Sequence, residues 1–192
     1  MLEIGPSRPA MRVVPRRRAI GSARYTAIDL DRRPQHARLR PPHRFRLMDA
    51  ARLTFGAATF DVILCNNVLG FAVDDRAILS EIHRCLKPDG VAMVDVDMPV
   101  ARTTSAAVLR QRQPARFTAA YVRNNGTERF YGRDYLARVR RAGLTPLRFD
   151  PLQGLDHAFR RAHGLKADAS VYLAFRSPAA ARTFVRAARD AT

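Results

Sequence analysis

The stretch from Phe60 to Val96 does most to limit the folds open to this chain. Phe60-Asp61-Val62-Ile63-Leu64-Cys65 is an almost unbroken apolar, β-branched run, the pattern of a strand covered on both faces. Beyond it, Ile78, Leu79, Ile82 and Leu86 recur at helical spacing, so a helix over residues 75–86 carries one apolar face. Asp74 is placed to cap its first turn, and Lys87 to complement the dipole at its end. Pro88-Asp89-Gly90 then stops the helix and turns the chain into a second apolar run, residues 91–96. A strand buried on both faces needs helices above and below its sheet, so this unit predicts an α/β layer architecture.

Short apolar runs alternate with amphipathic ones along the rest of the chain. Further strands are predicted over residues 2–4, 25–30, 45–47, 145–149 and 170–175. A second helix is expected over residues 134–142, ending at Gly143, and a terminal one over 178–192 with Phe184 and Val185 as its only large anchors. Residues 99–132 are the least regular, with a helix expected around 105–112. They follow the carboxyl end of a strand, where open α/β sheets place their ligands. A connection this long is functional or partly disordered. The expected organisation is one domain over residues 1–178 with a helical tail over 179–192.

Composition excludes several classes. With 47% apolar and 27% charged residues among 192, the chain is not disordered throughout. None of its apolar stretches reaches the roughly 20 residues that span a bilayer. Pro6, Pro9, Pro15 and Arg16-Arg17-Arg18 interrupt the first twenty residues, so no secretory leader is expected. Cys65 and Cys85 are too few for a disulfide scaffold, and no metal constellation is visible. A cytoplasmic protein is the expectation. The net charge of +17 is almost all arginine, since Lys87 and Lys166 are the only lysines. It is densest between Arg8 and Arg46 but is not interleaved with aromatic residues, so any nucleic-acid binding is expected to be non-specific.

The polar residues at strand ends carry the chemistry. Glu3-Ile4-Gly5-Pro6-Ser7 closes the first strand, where a glycine lets the backbone approach a ligand and the turn offers N–H groups. Asp29 and Leu30 close the second. Neighbouring parallel strands end side by side, so a carboxylate there can accept both hydroxyls of a ribose, although capping a helix is its plainer role. Asp49-Ala50 follows the third strand, where the carboxylate is either an acceptor for an adenine amino group or a loop acid. Asn66 and Asn67 end the buried strand, either as amides that hold a charged amino-acid moiety or as turn residues.

Together these residues resemble the class I S-adenosylmethionine-dependent methyltransferases, within the broad type 11 group. FDVILCNNVLGFAVDDRAILSEIHRCLKPDGVAMV, residues 60–94, is similar to that family's fourth strand, helix and fifth strand. ERFYGRDYLARVRRAGL, residues 128–144, resembles its substrate-side strip and helix, and SVYLAFRSP, residues 170–178, its closing strand. The resemblance implies a Rossmann-like doubly wound sheet of about seven strands, mostly parallel with the last strand antiparallel, and S-adenosylmethionine as cofactor. It implies Glu3 and Gly5 in the first glycine motif, Asp29 with Leu30 at the ribose, Asp49 with Ala50 at the adenine, and Asn66 beside the methionine part. The family's later motif glycines are Ser7 and Pro9 here, its usual Glu-His after the fourth strand is Gly70-Phe71, and its second turn glycine is Asp89. The sequence starts directly on strand one, without the family's covering helix, so the cofactor cleft is expected to be open.

The expected activity is methyl transfer to a small-molecule acceptor. The alternatives are a cofactor-binding protein of this fold without catalysis, or a nucleic-acid methyltransferase. A nicotinamide-type Rossmann enzyme is disfavoured because no G-x-G-x-x-G follows the first strand. No catalytic residue stands out. His36, His43, His83, His157 and His163 read as solvated, and Tyr121, Tyr131 and Tyr135 are candidates to line an acceptor pocket, with packing an equal account of Tyr135.

Overall fold

The computed structural model describes residues 1–6, 24–33, 36, 39, 41, 43–98, 100–112, 126–150, 152, 156–164 and 170–190. Strand β1 (Leu2–Ile4) is fully buried and runs parallel to both its neighbours, β2 (Thr26–Asp29) and β4 (Phe60–Asn66). β3 (Arg44–Leu47) adds to β2 at one edge, and β5 (Leu86–Asp95) to β4, again in parallel. β9 (Val171–Phe175) lies antiparallel between β5 and the other edge strand, β8 (Thr145–Phe149). The order is β3-β2-β1-β4-β5-β9-β8, the seven-stranded, mostly parallel sheet that the family resemblance implies, with its last strand reversed. The chain leaves β1 toward one edge and returns to β4 on the other side. A crevice therefore opens between the carboxyl ends of these strands.

Helices α1 (Asp75–Cys85) and α3 (Tyr135–Arg141) pack on one face. There Ile78, Leu79 and Ile82, with Tyr135 and Val139, meet Leu2, Ile4, Ile63, Cys65 and Val94. Cys65 is wholly buried, which pushes its thiol up to about 12, so it is core. Helix α5 (Pro178–Asp190) covers the opposite face through Ala181 and Phe184, against Leu173, Phe175, Leu147 and Phe149. Helices α2 (Ala106–Arg112) and α4 (His157–Ala162) are short. Asp74 caps α1 as expected, accepting from the N–H groups of Arg76 and Ala77 at 3.1 and 3.0 Å.

Two local expectations change. Helix α1 stops at Cys85, and Leu86 to Gly90 are drawn into β5, with Leu86 opposite Phe60 and a register shift before Val62. Leu86 is fully buried, and a Cβ on Gly90 would stand 2.8 Å from the Asp61 carbonyl, so close strand contact replaces a free turn. Lys87 accordingly reaches across to Asp61 at 2.6 Å instead of serving the helix end. Strands β6 (Thr104–Ser105) and β7 (Arg129–Phe130) form a small antiparallel pair that two-residue runs cannot announce by periodicity.

The histidines are not all solvated. His36 is 3% exposed and stacks on Phe45 of β3, with ring centroids 3.9 Å apart. Its Nδ1 accepts the Arg33 N–H at 3.0 Å, which requires the neutral ring. Burial, aided by Arg33 and Arg32 and opposed by Asp29, lowers its pKa below the ordinary 6.5. A group whose folded value is depressed in this way stabilises the fold above pH 6.5 and loses that contribution as acid charges it. Denaturation at pH 7.5 and 5.5 is expected to show a stability loss in the wild type that shrinks in His36→Gln; an equal loss in both would clear His36 of the effect.

Candidate functional site

Gly5 shapes the floor of the crevice. Its φ of +61° turns the chain out of β1, where an L side chain is disfavoured. A Cβ there would lie 2.7 Å from the Val68 Cγ2, so no other residue leaves this approach open. Above it is a cleft of about 1010 Å³, bounded by the ends of β1, β2, β3 and β4 and by the segment leading into α1.

The structure brings most of the residues marked at strand ends to this cleft: Gly5, Asp29, Leu30, Asp49, Ala50 and Asn66 all line it. The Asp29 carboxylate is held loosely, 3.6 Å from Arg33 Nε and 3.5 Å from the Asp31 N–H, which leaves it capacity for further donors. Asp49 Oδ1 accepts the Ala51 N–H at 2.8 Å, a local turn that aims its carboxylate group. Leu30 is 68% exposed at the cleft wall, an apolar surface available to a planar ring.

Glu3 behaves differently. It is buried, accepts the Tyr25 hydroxyl at 2.6 Å, and is not among the residues that line the cleft. Burial raises its carboxyl above the ordinary value, against the Tyr25 hydrogen bond that lowers it. Ser7, Pro9 and Tyr121 lie outside the described residues.

The charge of the lining is informative. Among the described residues that line the cleft, Asp29, Asp31, Asp49 and Asp74 outnumber Arg33 and Arg52, so this lining is acidic within a chain of net charge +17. An acid-lined cleft with carboxylates at two strand ends fits a cation that carries a diol and a planar base. S-adenosylmethionine, with its sulfonium and ammonium groups, ribose and adenine, has that chemistry. The donor set therefore fits the implied cofactor.

A second, smaller cavity of about 240 Å³ adjoins the cleft, and Asn67 and Phe71 line both. Asn67 holds a left-handed φ of +53°, a conformation asparagine tolerates, and its N–H donates to the Asp95 carbonyl at 2.9 Å. Gly70 docks the intervening turn onto the strip before β7: its carbonyl accepts the Glu128 N–H at 2.8 Å, and a Cβ would press on the Arg129 carbonyl at 3.3 Å. The Gly70-Phe71 departure thus exchanges a polar pair for a tight turn and a half-exposed ring.

Behind this cavity lies a buried ion cluster. Asp75, 2% exposed, accepts Arg138 Nε and Nη2 at 2.9 and 2.8 Å and the Tyr131 hydroxyl at 2.9 Å, with Arg129 Nη1 at 3.3 Å. Burial pushes its carboxyl up, but the Arg138 and Tyr131 hydrogen bonds with the Arg129 charge outweigh it and leave the pKa lowered. Tyr131 lines the second cavity. Tyr135 lines neither cavity; fully buried, it donates to the Val94 carbonyl at 2.6 Å and belongs to the core. The role of Asp75 is not legible from spacing, because its hydrogen-bond partners Tyr131 and Arg138 lie 56 and 63 residues away.

Comparisons with known proteins agree with this geometry. The family model described as a methyltransferase domain matches residues 2–94. No curated protein matches the chain. Among solved structures, the Burkholderia thailandensis 1,6-didemethyltoxoflavin-N1-methyltransferase, with bound 1,6-didemethyltoxoflavin and S-adenosylhomocysteine, is 22% identical with a TM-score of 0.56 over 90% of this chain and 68% of that one. The Streptomyces coelicolor geranyl diphosphate C-methyltransferase, in complex with Mg2+, geranyl diphosphate and S-adenosyl-L-homocysteine, is 18% identical with a TM-score of 0.59 over 92% of this chain and 70% of that one. The [4+2]-cyclase SpnF is 22% identical with a TM-score of 0.54 over 76% of this chain and 50% of that one. These structures share the fold. Residues 2–94 match the methyltransferase-domain model, and the seven-stranded sheet is the fold that these solved structures share.

Proposed function

We propose that the chain transfers the methyl group of S-adenosylmethionine to a small-molecule acceptor held in the second cavity. The observation that carries this reading is the meeting of an acid-lined cleft and a small, ring-walled cavity at Asn67 and Phe71. When bound, the cofactor supplies a methyl group already activated on a sulfonium, so the chain has to orient and shield more than to activate. In this reading Asp29 holds the ribose hydroxyls, Asp49 the adenine amino group and Asn66 the methionine end, while the Gly5 turn lets the backbone come close. The two methyltransferases compared above are named for small acceptors, which supports an acceptor of that class. The arginine-rich surface then attracts polyanions without selecting a sequence.

The [4+2]-cyclase on the same fold favours a second reading, cofactor binding without methyl transfer. Calorimetry with S-adenosylhomocysteine tests the part common to both. One-to-one binding in the micromolar range is expected, and absence of binding at millimolar concentrations would overturn both readings.

A further inference from the structure

We infer that the acceptor is a small organic anion and that Arg129 holds its carboxylate or phosphate group in the second cavity. This rests on the reading of that cavity as the acceptor site.

The charges behind the cavity do not cancel. Asp75, 2% exposed, is shared by two guanidinium groups. Arg138 takes both of its oxygens, through Nε at 2.9 Å and Nη2 at 2.8 Å, whereas Arg129 Nη1 stands 3.3 Å away. Two guanidinium groups against one carboxylate leave a positive charge over, and the looser contact leaves it chiefly with Arg129. Of the two arginines, Arg129 is the one that lines the cavity. Its side chain is only 20% exposed, so water and salt screen this charge less than one on the open surface. A half-paired cation at that depth is costly, and an incoming anion relieves the cost.

The guanidinium is also held ready. Its Nη1 and Nη2 donate to the Ala72 and Val73 carbonyls at 3.3 and 3.4 Å, which fixes its plane before any ligand arrives. Those carbonyls and Asp75 do not exhaust the N–H donors of an arginine, so capacity remains for an oxyanion, which its fork matches. Asn67 and Thr127 line the same cavity and bring an amide and a hydroxyl that can donate to the same group. Asp97 lies in this lining too, but it is exposed and has a partner of its own, so its repulsion is screened more than the attraction of Arg129. Phe71, Val96 and Phe130 make the remaining wall apolar. At about 240 Å³ the cavity falls below the roughly 300–1,000 Å³ of sites for drug-sized ligands, so the anion it takes has a small apolar body.

The test uses the full chain saturated with S-adenosylhomocysteine and saturation-transfer NMR. The probes are benzoate set against benzamide, and phenyl phosphate set against phenol. At least one anion is expected to bind about tenfold more tightly than its neutral counterpart, the scale of one hydrogen bond to a charged group. Arg129→Gln is expected to abolish that preference, and Arg129→Lys, which keeps the charge without the fork, to restore part of it. Arg138→Met leaves Asp75 to Arg129 alone and is expected to shrink the preference while Arg129 stays in place. Unchanged S-adenosylhomocysteine affinity in each variant checks that the fold is intact, and the wild-type comparison needs no variant at all. Equal binding of both anions and their neutral counterparts would overturn this inference alone, as would a preference that survives Arg129→Gln, or S-adenosylhomocysteine binding with no probe bound. Absence of S-adenosylhomocysteine binding would instead remove the parent reading, and this one with it.

Discussion

Replacing Asp75 by Ala is expected to cost about 3–5 kcal/mol of folding stability, read from urea denaturation at neutral pH. The reason is the asymmetry of buried ion pairs. Arg138 grips the Asp75 carboxylate with two hydrogen bonds while only 16% exposed itself, and Arg129 at 20% shares the same oxygen. Removing the carboxylate leaves two guanidinium groups facing each other with little water, and it strips the Tyr131 hydroxyl of its carboxylate acceptor. Asp75→Asn keeps a hydrogen-bond acceptor without the charge and is expected to fall between the two. The pair Asp75→Ala with Arg138→Met removes the orphaned cation and is expected to recover part of the loss. A cost under about 1 kcal/mol for Asp75→Ala would show that water reaches this cluster and that it does not hold the turn of Val68–Asp74 in place.

If Asp29 holds the ribose as proposed, Asp29→Ala is expected to weaken S-adenosylhomocysteine binding by about 1.5–3 kcal/mol, roughly 10- to 150-fold in Kd, the cost of one charge-assisted hydrogen bond. The fold itself should tolerate the change. In the protein without ligand, Asp29 has only a 3.6 Å contact to a half-exposed Arg33 and a 3.5 Å contact to a backbone N–H. A carboxylate so loosely satisfied is easily recruited by a ligand. Calorimetry checks the affinity and denaturation checks the fold. Unchanged affinity would remove Asp29 from the site, whereas a loss of folding stability on the scale of Asp75→Ala would mark it as structural.

Glu3 and Asp29 show where reasoning from strand ends is sound and where it stops. Both are acids on strands, and the resemblance places both at the cofactor. Yet Asp29 ends its strand and opens on the cleft, whereas Glu3 sits mid-strand in β1, pairs with the buried Tyr25 and does not line the cleft. Alternation along a strand sends successive side chains to opposite faces, so position within the strand decides the outcome as much as residue type.

What the sequence determined by itself is local and periodic. The unbroken apolar run of β4, the helical spacing of Ile78, Leu79 and Ile82, and the Asp74 cap are fixed by neighbours within a few residues. The positions of Asp29 and Asp49 at strand ends belong to the same class of information. Only the tertiary structure decided the rest. His36 is buried because Phe45 of β3 covers it, and Leu86 joins the sheet because Phe60 lies opposite. Asp75 reads as a first-turn helix acid until Arg138, 63 residues on, closes over it, and the second cavity exists only where β4, β5 and the strip at β7 converge. These outcomes depend on which distant surface excludes water from a side chain, and spacing along the chain does not encode that choice.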